Sequence, residues 1–255
     1  MDISPIQRII AQINSQNSKG QECVRPKTIY KCEKCRDLGW ILVPREHSND
    51  IAIKCDCMKL KEIKSDWKRA GFKVDMCNYT FSTFKVWNNA SKFAKDVALR
   101  YFKSFEANRD KRRNSILLCG QVGSGKTHLA IALGVNFIEK KIKVQYMPYR
   151  DVVTEIKQNI IDNEKYTRLM NKYKTCDVLL IDDLYKGKIN ESDVNIMFEI
   201  INYRYINNKP MIISSEYTMD RILNVDEAIG SRIYEMCKNS IVQIENNISN
   251  NYRLK

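Results

Sequence analysis

Gly120-Gln121-Val122-Gly123-Ser124-Gly125-Lys126-Thr127 fits the pattern G-x-x-x-x-G-K-[S/T] at every defined position, and the apolar run Ser115–Cys119 ahead of it reads as a strand. The spacing has a physical meaning. Glycines let successive backbone N–H groups turn inward around a β-phosphate, a lysine reaches the β- and γ-phosphates, and the Thr127 hydroxyl is a ligand for Mg²⁺. A helix beginning near Lys126, with His128 in its first turn, points the positive end of its dipole at the same place. Strand, loop and helix follow in the order that an ATP site requires.

Working outward, strand candidates Ser115–Cys119, Ile142–Met147, Asp177–Asp182, Met211–Ser215 and Ser240–Glu245 alternate with helical segments, notably Lys126–Lys140 and Glu191–Asn207. That alternation predicts an α/β fold, a parallel sheet covered by helices on both faces. Val178-Leu-Leu-Ile-Asp182-Asp183 is an apolar strand ending in two carboxylates, 56 residues beyond Lys126. Asp182 is placed to hold Mg²⁺ and Asp183 to activate the attacking water as general base, or alternatively to start the next helix. The polar stretch Arg150–Lys174 reads as an inserted helical pair, with Tyr149, Arg150, Lys157, Lys165 and Lys172 as candidate contacts.

The chain has 255 residues, a formal net charge of +13 and nine cysteines. Its length allows one to two domains, and no run of about 18 apolar residues is present to cross a membrane. Without an export signal the thiols are expected to be reduced or metal-bound, in the cytoplasm. The charge favours a polyanionic partner such as single-stranded DNA, although a Lys-, Asn- and Ile-rich composition also follows from an AT-biased genome. Lys54–Lys73 holds seven basic against three acidic residues, and Lys92–Arg113 holds eight against three, ending in Arg109, Lys111, Arg112 and Arg113. Phe93, Tyr101, Phe102 and Phe105 interleave with the second segment at helical spacing, which favours core packing over base stacking.

Near the N-terminus, Ile6, Ile9, Ile10 and Ile13 recur at helical intervals before a polar break. A module from about Tyr30 to Met58 follows, and Lys59–Arg69 reads as a basic helix leading out of it. Cys32-x₂-Cys35 and Cys55-x-Cys57 are separated by 19 residues. Four thiolates suit tetrahedral Zn²⁺, with Cys23 and His47 as substitutes; reduced unliganded thiols and a redox pair are the alternatives. A module this small needs the metal to fold. These readings divide the chain into residues 1–72, an N-terminal helix and zinc-binding partner module, and 73–255, the ATPase domain.

Seven stretches together carry a resemblance: the cysteine module Lys31–Asp56, TFSTF from Thr80, GQVGSGKTHLAIALG from Gly120, LLIDDLYKGK from Leu179, PMIISSEYT from Pro210, GSRIYEM from Gly230 and NYRLK from Asn251. The chain resembles the DnaC/DnaI-type replicative helicase loaders, AAA+ ATPases of bacteria and their phages. The resemblance implies a five-stranded sheet in the order 5-1-4-3-2 and a γ-phosphate-sensing role for Ser215, with Glu216 where many relatives carry Asn. It implies that Arg232 is an arginine finger reaching a neighbouring subunit's ATP, so that self-association runs through the ATP site. It matches Arg253 to a sensor arginine on the nucleotide, and sets Phe81 and Phe84 at the adenine. The implied activity is slow, regulated ATP hydrolysis during loading of a replicative hexameric helicase onto single-stranded DNA at replication initiation. An IstB-like transposition helper and an ATP-gated DNA-binding adaptor with little hydrolysis are the rival readings.

Overall fold

A computed structural model describes residues 30–45, 48–73, 76 and 78–254; the isoleucine stripe of residues 6–13, Cys23 and His47 lie outside them. The chain divides into two compact units, Met1–Ser65 and Asp66–Lys255.

In the first unit, Trp40–Arg45 (β1) and Ser48–Lys54 (β2) form an antiparallel ribbon with Ile41 opposite Ile53 and Val43 opposite Ile51. The period-two alternation of strands puts those four aliphatic residues on one face. Helix α1, Asp56–Arg69, starts in this unit and ends in the second; it carries Asp56 in its first turn and Lys68 and Arg69 in its last, both matched to the helix dipole. The ribbon and Cys55 are joined by a hydrogen bond from the Cys55 N–H to the Gly39 carbonyl, 2.9 Å.

The second unit is built on five strands: Ile116–Gly120 (β3), Val144–Pro148 (β4), Val178–Leu184 (β5), Met211–Ser215 (β6) and Ile241–Ile244 (β7). They lie in the order β4-β5-β6-β3-β7, every pair parallel. The eight helices among the described residues continue with α2 Asn89–Asn108, α3 Lys126–Glu139, α4 Tyr149–Gln158, α5 Asn163–Thr175, α6 Glu191–Ile206, α7 Met219–Val225 and α8 Glu227–Cys237. Capping boxes at Asn88 and Asn190 fix the starts of α2 and α6.

Alternate residues of each strand feed two separate cores. Ile116, Leu118, Leu180 and Ile212 pack with α2 and α3, where Phe105 and Phe137 approach to 4.3 Å between ring centroids. Leu117, Leu179, Ile181 and Ile213 pack with α4 to α8. Burial on both faces explains why these strands read as unbroken apolar runs. Tyr101 and Phe105 belong to the first core, as their helical spacing predicts, whereas Phe93 is exposed.

Candidate nucleotide site and cysteine cluster

The phosphate loop leaves β3 at Gly120 and enters α3 at Lys126, between the ends of the sheet's central strands. Gly120 has φ 102°, and a Cβ there would stand 2.0 Å from the Ile244 carbonyl oxygen on β7. At Gly123, φ 71°, a Cβ would stand 2.0 Å from Asn251 Oδ1. Positive φ favours glycine at both points, and at Gly120 the immovable backbone carbonyl demands it as well. The Gln121 N–H donates to the Ile244 carbonyl (2.9 Å), and the Ser124 hydroxyl donates to the Gln121 carbonyl (2.7 Å). Val122 is at the exposed tip.

A cavity of about 510 Å³ opens over this loop, lined among others by Gly123, Ser124, Gly125, Lys126, Thr127, His128, Asp182, Asp183, Glu216 and Arg253. Lys126 is buried and donates to the Gly120 carbonyl at 2.9 Å and the Gln121 carbonyl at 2.5 Å. Burial lowers its pKa to about 8 against the opposing pull of the Glu216 and Asp183 charges. Thr127 Oγ1 donates to Asp182 Oδ1 at 2.9 Å, so a hydroxyl and a carboxylate that could share one divalent cation already meet.

Two further donors hold Asp182: the Ser214 hydroxyl on Oδ1 (2.5 Å) and the Tyr146 hydroxyl on Oδ2 (2.9 Å). Burial raises the Asp182 pKa and the Asp183 charge adds to the rise, against these hydrogen bonds. Tyr146 is itself pushed well up by burial and by Asp182, so it remains a donor. The pairing of β5 with β6 shifts register between Ile181 and Leu184. In that bulge Asp183 adopts φ 57°, and its N–H donates to Ser214 Oγ at 2.9 Å. Asp183 Oδ2 receives the Lys186 ammonium at 2.7 Å, and the same ammonium lies 3.1 Å from Glu216 Oε1.

Not every residue expected here arrives. Ser215 is wholly buried and spends its hydroxyl on the Leu184 carbonyl (2.8 Å); its neighbour Ser214 touches Asp182 instead. Strand parity decides this, since consecutive serines on β6 point to opposite faces. Arg232, expected at a neighbouring subunit's ATP and not at its own, lies apart from the cavity, bonded to Asn202 Oδ1 (3.0 Å) and the Ala228 carbonyl (2.7 Å), 5.3 Å from the ring centroids of Phe198 and Tyr205. Phe84 lines the cavity, but Phe81 packs toward Phe102. Sequence reasoning missed Tyr146, Ser214 and Lys186, and with them Trp87, whose ring sits 5.0 Å from that of Tyr252 at the cavity wall. Lys186, three residues past Asp183, was visible in the sequence; Tyr146 and Ser214 depend on which face of a strand they occupy.

His128 Nε2 lies 2.9 Å from the Thr80 carbonyl oxygen and is packed edge-on against Phe84 and Tyr79; burial lowers its pKa. The segment after β7 lies on the loop, with the Tyr252 N–H donating to the Gly123 carbonyl (2.9 Å) and Trp87 Nε1 donating to the Ser249 carbonyl (3.3 Å).

The polar insert is the helical pair α4 and α5. Tyr149 is buried, Lys157 is paired with Asp193 at 2.5 Å and Lys165 with Asp162 at 3.6 Å, and Lys172 lies over the Tyr173 ring. Within the cluster of residues 109–113, Arg112 donates to the Tyr205 carbonyl and stacks on its ring at 4.0 Å. That guanidinium is already engaged.

In the first unit the sulfurs of Cys32, Cys35, Cys55 and Cys57 all lie within 4.8 Å of one another. Cys32 and Cys55 sulfurs are 3.8 Å apart and those of Cys35 and Cys57 3.3 Å. A tetrahedral ion with Zn–S bonds of about 2.3 Å sets its sulfurs ~3.8 Å apart, so the donor set and spacing fit zinc. The Gly39 N–H donates to Cys35 Sγ at 3.3 Å, the kind of outer contact that supports a ligating thiolate.

Fold and loop together define an AAA+ P-loop ATPase domain. The chain belongs to the bacterial DnaA ATPase-domain family, whose model matches residues 76–237. It is 35% identical to the phage-like element PBSX protein XkdC of Bacillus subtilis (strain 168), over 85% of this chain and 83% of that one. Among solved structures it is similar to a DnaC helicase loader, with 25% identity and a TM-score of 0.58, over 68% of this chain and 99% of that one. It is also similar to a replication initiator DnaA bound to AMPPCP and single-stranded DNA, with 26% identity and a TM-score of 0.56, over 67% of this chain and 50% of that one. The chain is thus a DNA-replication-associated AAA+ ATPase related to DnaA and DnaC. Among the described residues no helix is long and apolar enough to cross a membrane.

Proposed function

We propose that this protein is an ATP-dependent loader of a replicative hexameric helicase onto single-stranded DNA. The observation that carries the reading is extent: the likeness takes in 99% of the solved DnaC loader chain but only 50% of the solved DnaA initiator chain. The cysteine ribbon supports it as a separate module for gripping a partner, set in residues 1–72 ahead of an ATPase domain in 73–255.

In this reading Lys126 and the loop N–H groups bind the β- and γ-phosphates, and Thr127 and Asp182 would hold Mg²⁺, which would supply charge neutralisation for the phosphates. Asp183 orients a water molecule whose oxygen attacks the γ-phosphorus. As the bond to the β,γ-bridging oxygen breaks, the water's proton passes to the Asp183 carboxylate. Arg253 reaches the nucleotide in the same subunit, and Arg232 acts on the ATP of a neighbour, exchanging its contacts with Asn202 and Ala228 for phosphate. Ser214 holds the Asp182 carboxylate in place. The cysteine cluster holds Zn²⁺, which cross-links the ribbon and takes no part in hydrolysis.

ATP then acts as a switch: the triphosphate joins subunits through Arg232, and hydrolysis loosens them. Co-purification with candidate hexameric helicases, with and without ATP, tests the partner. Mixing Arg232→Ala with Lys126→Ala protein tests the assembly, because each supplies the half-site that the other lacks. Mixtures that stay inactive while Arg232→Ala alone turns over ATP normally would exclude the shared site.

A further inference from the structure

Lys186 belongs to no nucleotide-binding motif, yet its ammonium joins the only two carboxylates that face the cavity beside Asp182 among the described residues. We propose that Lys186 is a positioning residue for hydrolysis: it clamps Asp183 to Glu216, aiming the Asp183 carboxylate at the water. This inference rests on reading the cavity as an ATP-hydrolysing site.

Three features support it. The clamp spans two adjacent parallel strands, since Asp183 lies in the bulge of β5 and Glu216 one residue beyond β6. Its contacts are 2.7 and 3.1 Å; the two carboxylate side chains are 30% and 28% exposed and the Lys186 side chain 45%. The pair is therefore shielded on its carboxylate side and open to solvent on its lysine side, and is screened less than a fully exposed pair.

The turn that presents Lys186 is also unusually constrained. Asp183 and Tyr185 both have left-handed backbones, φ 57° and 63°, followed by Gly187 at 94°. Two such conformations at residues other than glycine persist only where the surroundings enforce them. Here the enforcement comes from the wholly buried Tyr185 ring, the Ser214 contact to the Asp183 N–H and the 3.0 Å bond from the Lys186 N–H to the Asp183 carbonyl. The lysine therefore springs from a fixed base within reach of both carboxylates.

The test uses the full chain with Mg-ATP, measuring ATP and ADP affinity and the single-turnover hydrolysis rate for Lys186→Met, Lys186→Arg, Asp183→Asn and the Lys186→Met/Asp183→Asn double variant. Lys186→Met is expected to bind both nucleotides within about threefold of the unaltered protein but to hydrolyse ATP ~30-fold or more slowly, as small misplacements of catalytic groups do. Retained affinity also reports that the variant is folded. Lys186→Arg, keeping the charge, should recover most of the rate. The double variant should be no slower than Asp183→Asn alone, since a positioning residue acts only through the group that it positions. Lys186→Met hydrolysing at the unaltered rate, or slowing the Asp183→Asn background further, would overturn the proposal; so would a selective loss of ATP over ADP affinity, which would make Lys186 a direct phosphate ligand. If Asp183→Asn itself turns over normally, the general-base role of Asp183 fails together with the clamp, whereas an unaltered protein that binds ATP without hydrolysing it would sink the hydrolytic reading of the cavity.

Discussion

The nucleotide site and the cysteine ribbon are held together by opposite means. The loop, Asp182 and Asp183 hang on a sheet whose two faces are each sealed by an extensive apolar core. In the ribbon, Cys35, Gly39 and Cys55 are buried, and no other residue of 30–44, 50–58, 61, 62, 64 and 65 is. Ile41, Val43, Ile51 and Ile53 lie on one face of it, with Val43 and Ile53 largely exposed. The first region can position charged groups because packing has already met the entropy of ordering it. The second has no such reserve, and its four sulfurs stand where a core would be.

Removing the proposed metal should break this contrast open most widely. Chelation or Cys55→Ser should abolish hydrogen-exchange protection across β1 and β2, whereas ATP binding by the second unit should persist. Structural zinc contributes roughly 10–16 kcal/mol to comparable small modules, so the effect on the ribbon should be all-or-none. Protection that survives metal removal would show that the ribbon is held by something other than the sulfurs.

On the packed side, Gly120→Ala should cost about 3 kcal/mol or more in urea unfolding, because the new methyl group meets a backbone carbonyl that cannot move aside. An exposed-loop substitution such as Val122→Ala, by comparison, should change stability by less than ~0.5 kcal/mol.

The adjacent serines sharpen the comparison within one strand. Ser214→Ala should weaken Mg-ATP binding or turnover about tenfold by removing a hydrogen bond to the Asp182 carboxylate. Ser215→Ala should cost ~1 kcal/mol of stability, through the orphaned Leu184 carbonyl, and leave the bound-ATP turnover rate nearly unchanged. Equal kinetic effects of the two would contradict the parity seen in β6.

The last effect is a titration. With the Lys126 pKa lowered from 10.5 to about 8, the unfolded chain binds the extra proton between those values. The contribution of Lys126 to stability therefore rises with pH across that window. The difference in unfolding free energy between the unaltered protein and Lys126→Met should move in favour of the former from pH 8 to 10, while ATP affinity falls as the cation is lost.

Much of this was legible beforehand. The phosphate loop, the acid pair and the alternating elements follow from local spacing and apolar periodicity, and the expected strand limits fall within two residues of those observed. The ribbon strands and helices α7 and α8 were not anticipated, because short exposed strands and seven- to eleven-residue helices carry weak periodic patterns. Ser214 and Tyr146 escaped for a different reason: their roles come from the pairing of strands distant in sequence, which residue spacing does not encode. Arg232 poses the converse problem, since a residue proposed to act in trans makes only housekeeping contacts within its own chain.

The contact between Trp87 and Tyr252 has a practical consequence. The chain contains three tryptophans, and Trp87 is the one whose indole borders the phosphate loop's cavity and is bonded to the segment lying over that loop. Replacing Trp40 and Trp67 with phenylalanine would leave a single emitter beside the triphosphate. Its fluorescence would then give an unlabelled, real-time optical record of nucleotide arrival and departure while partner proteins are added.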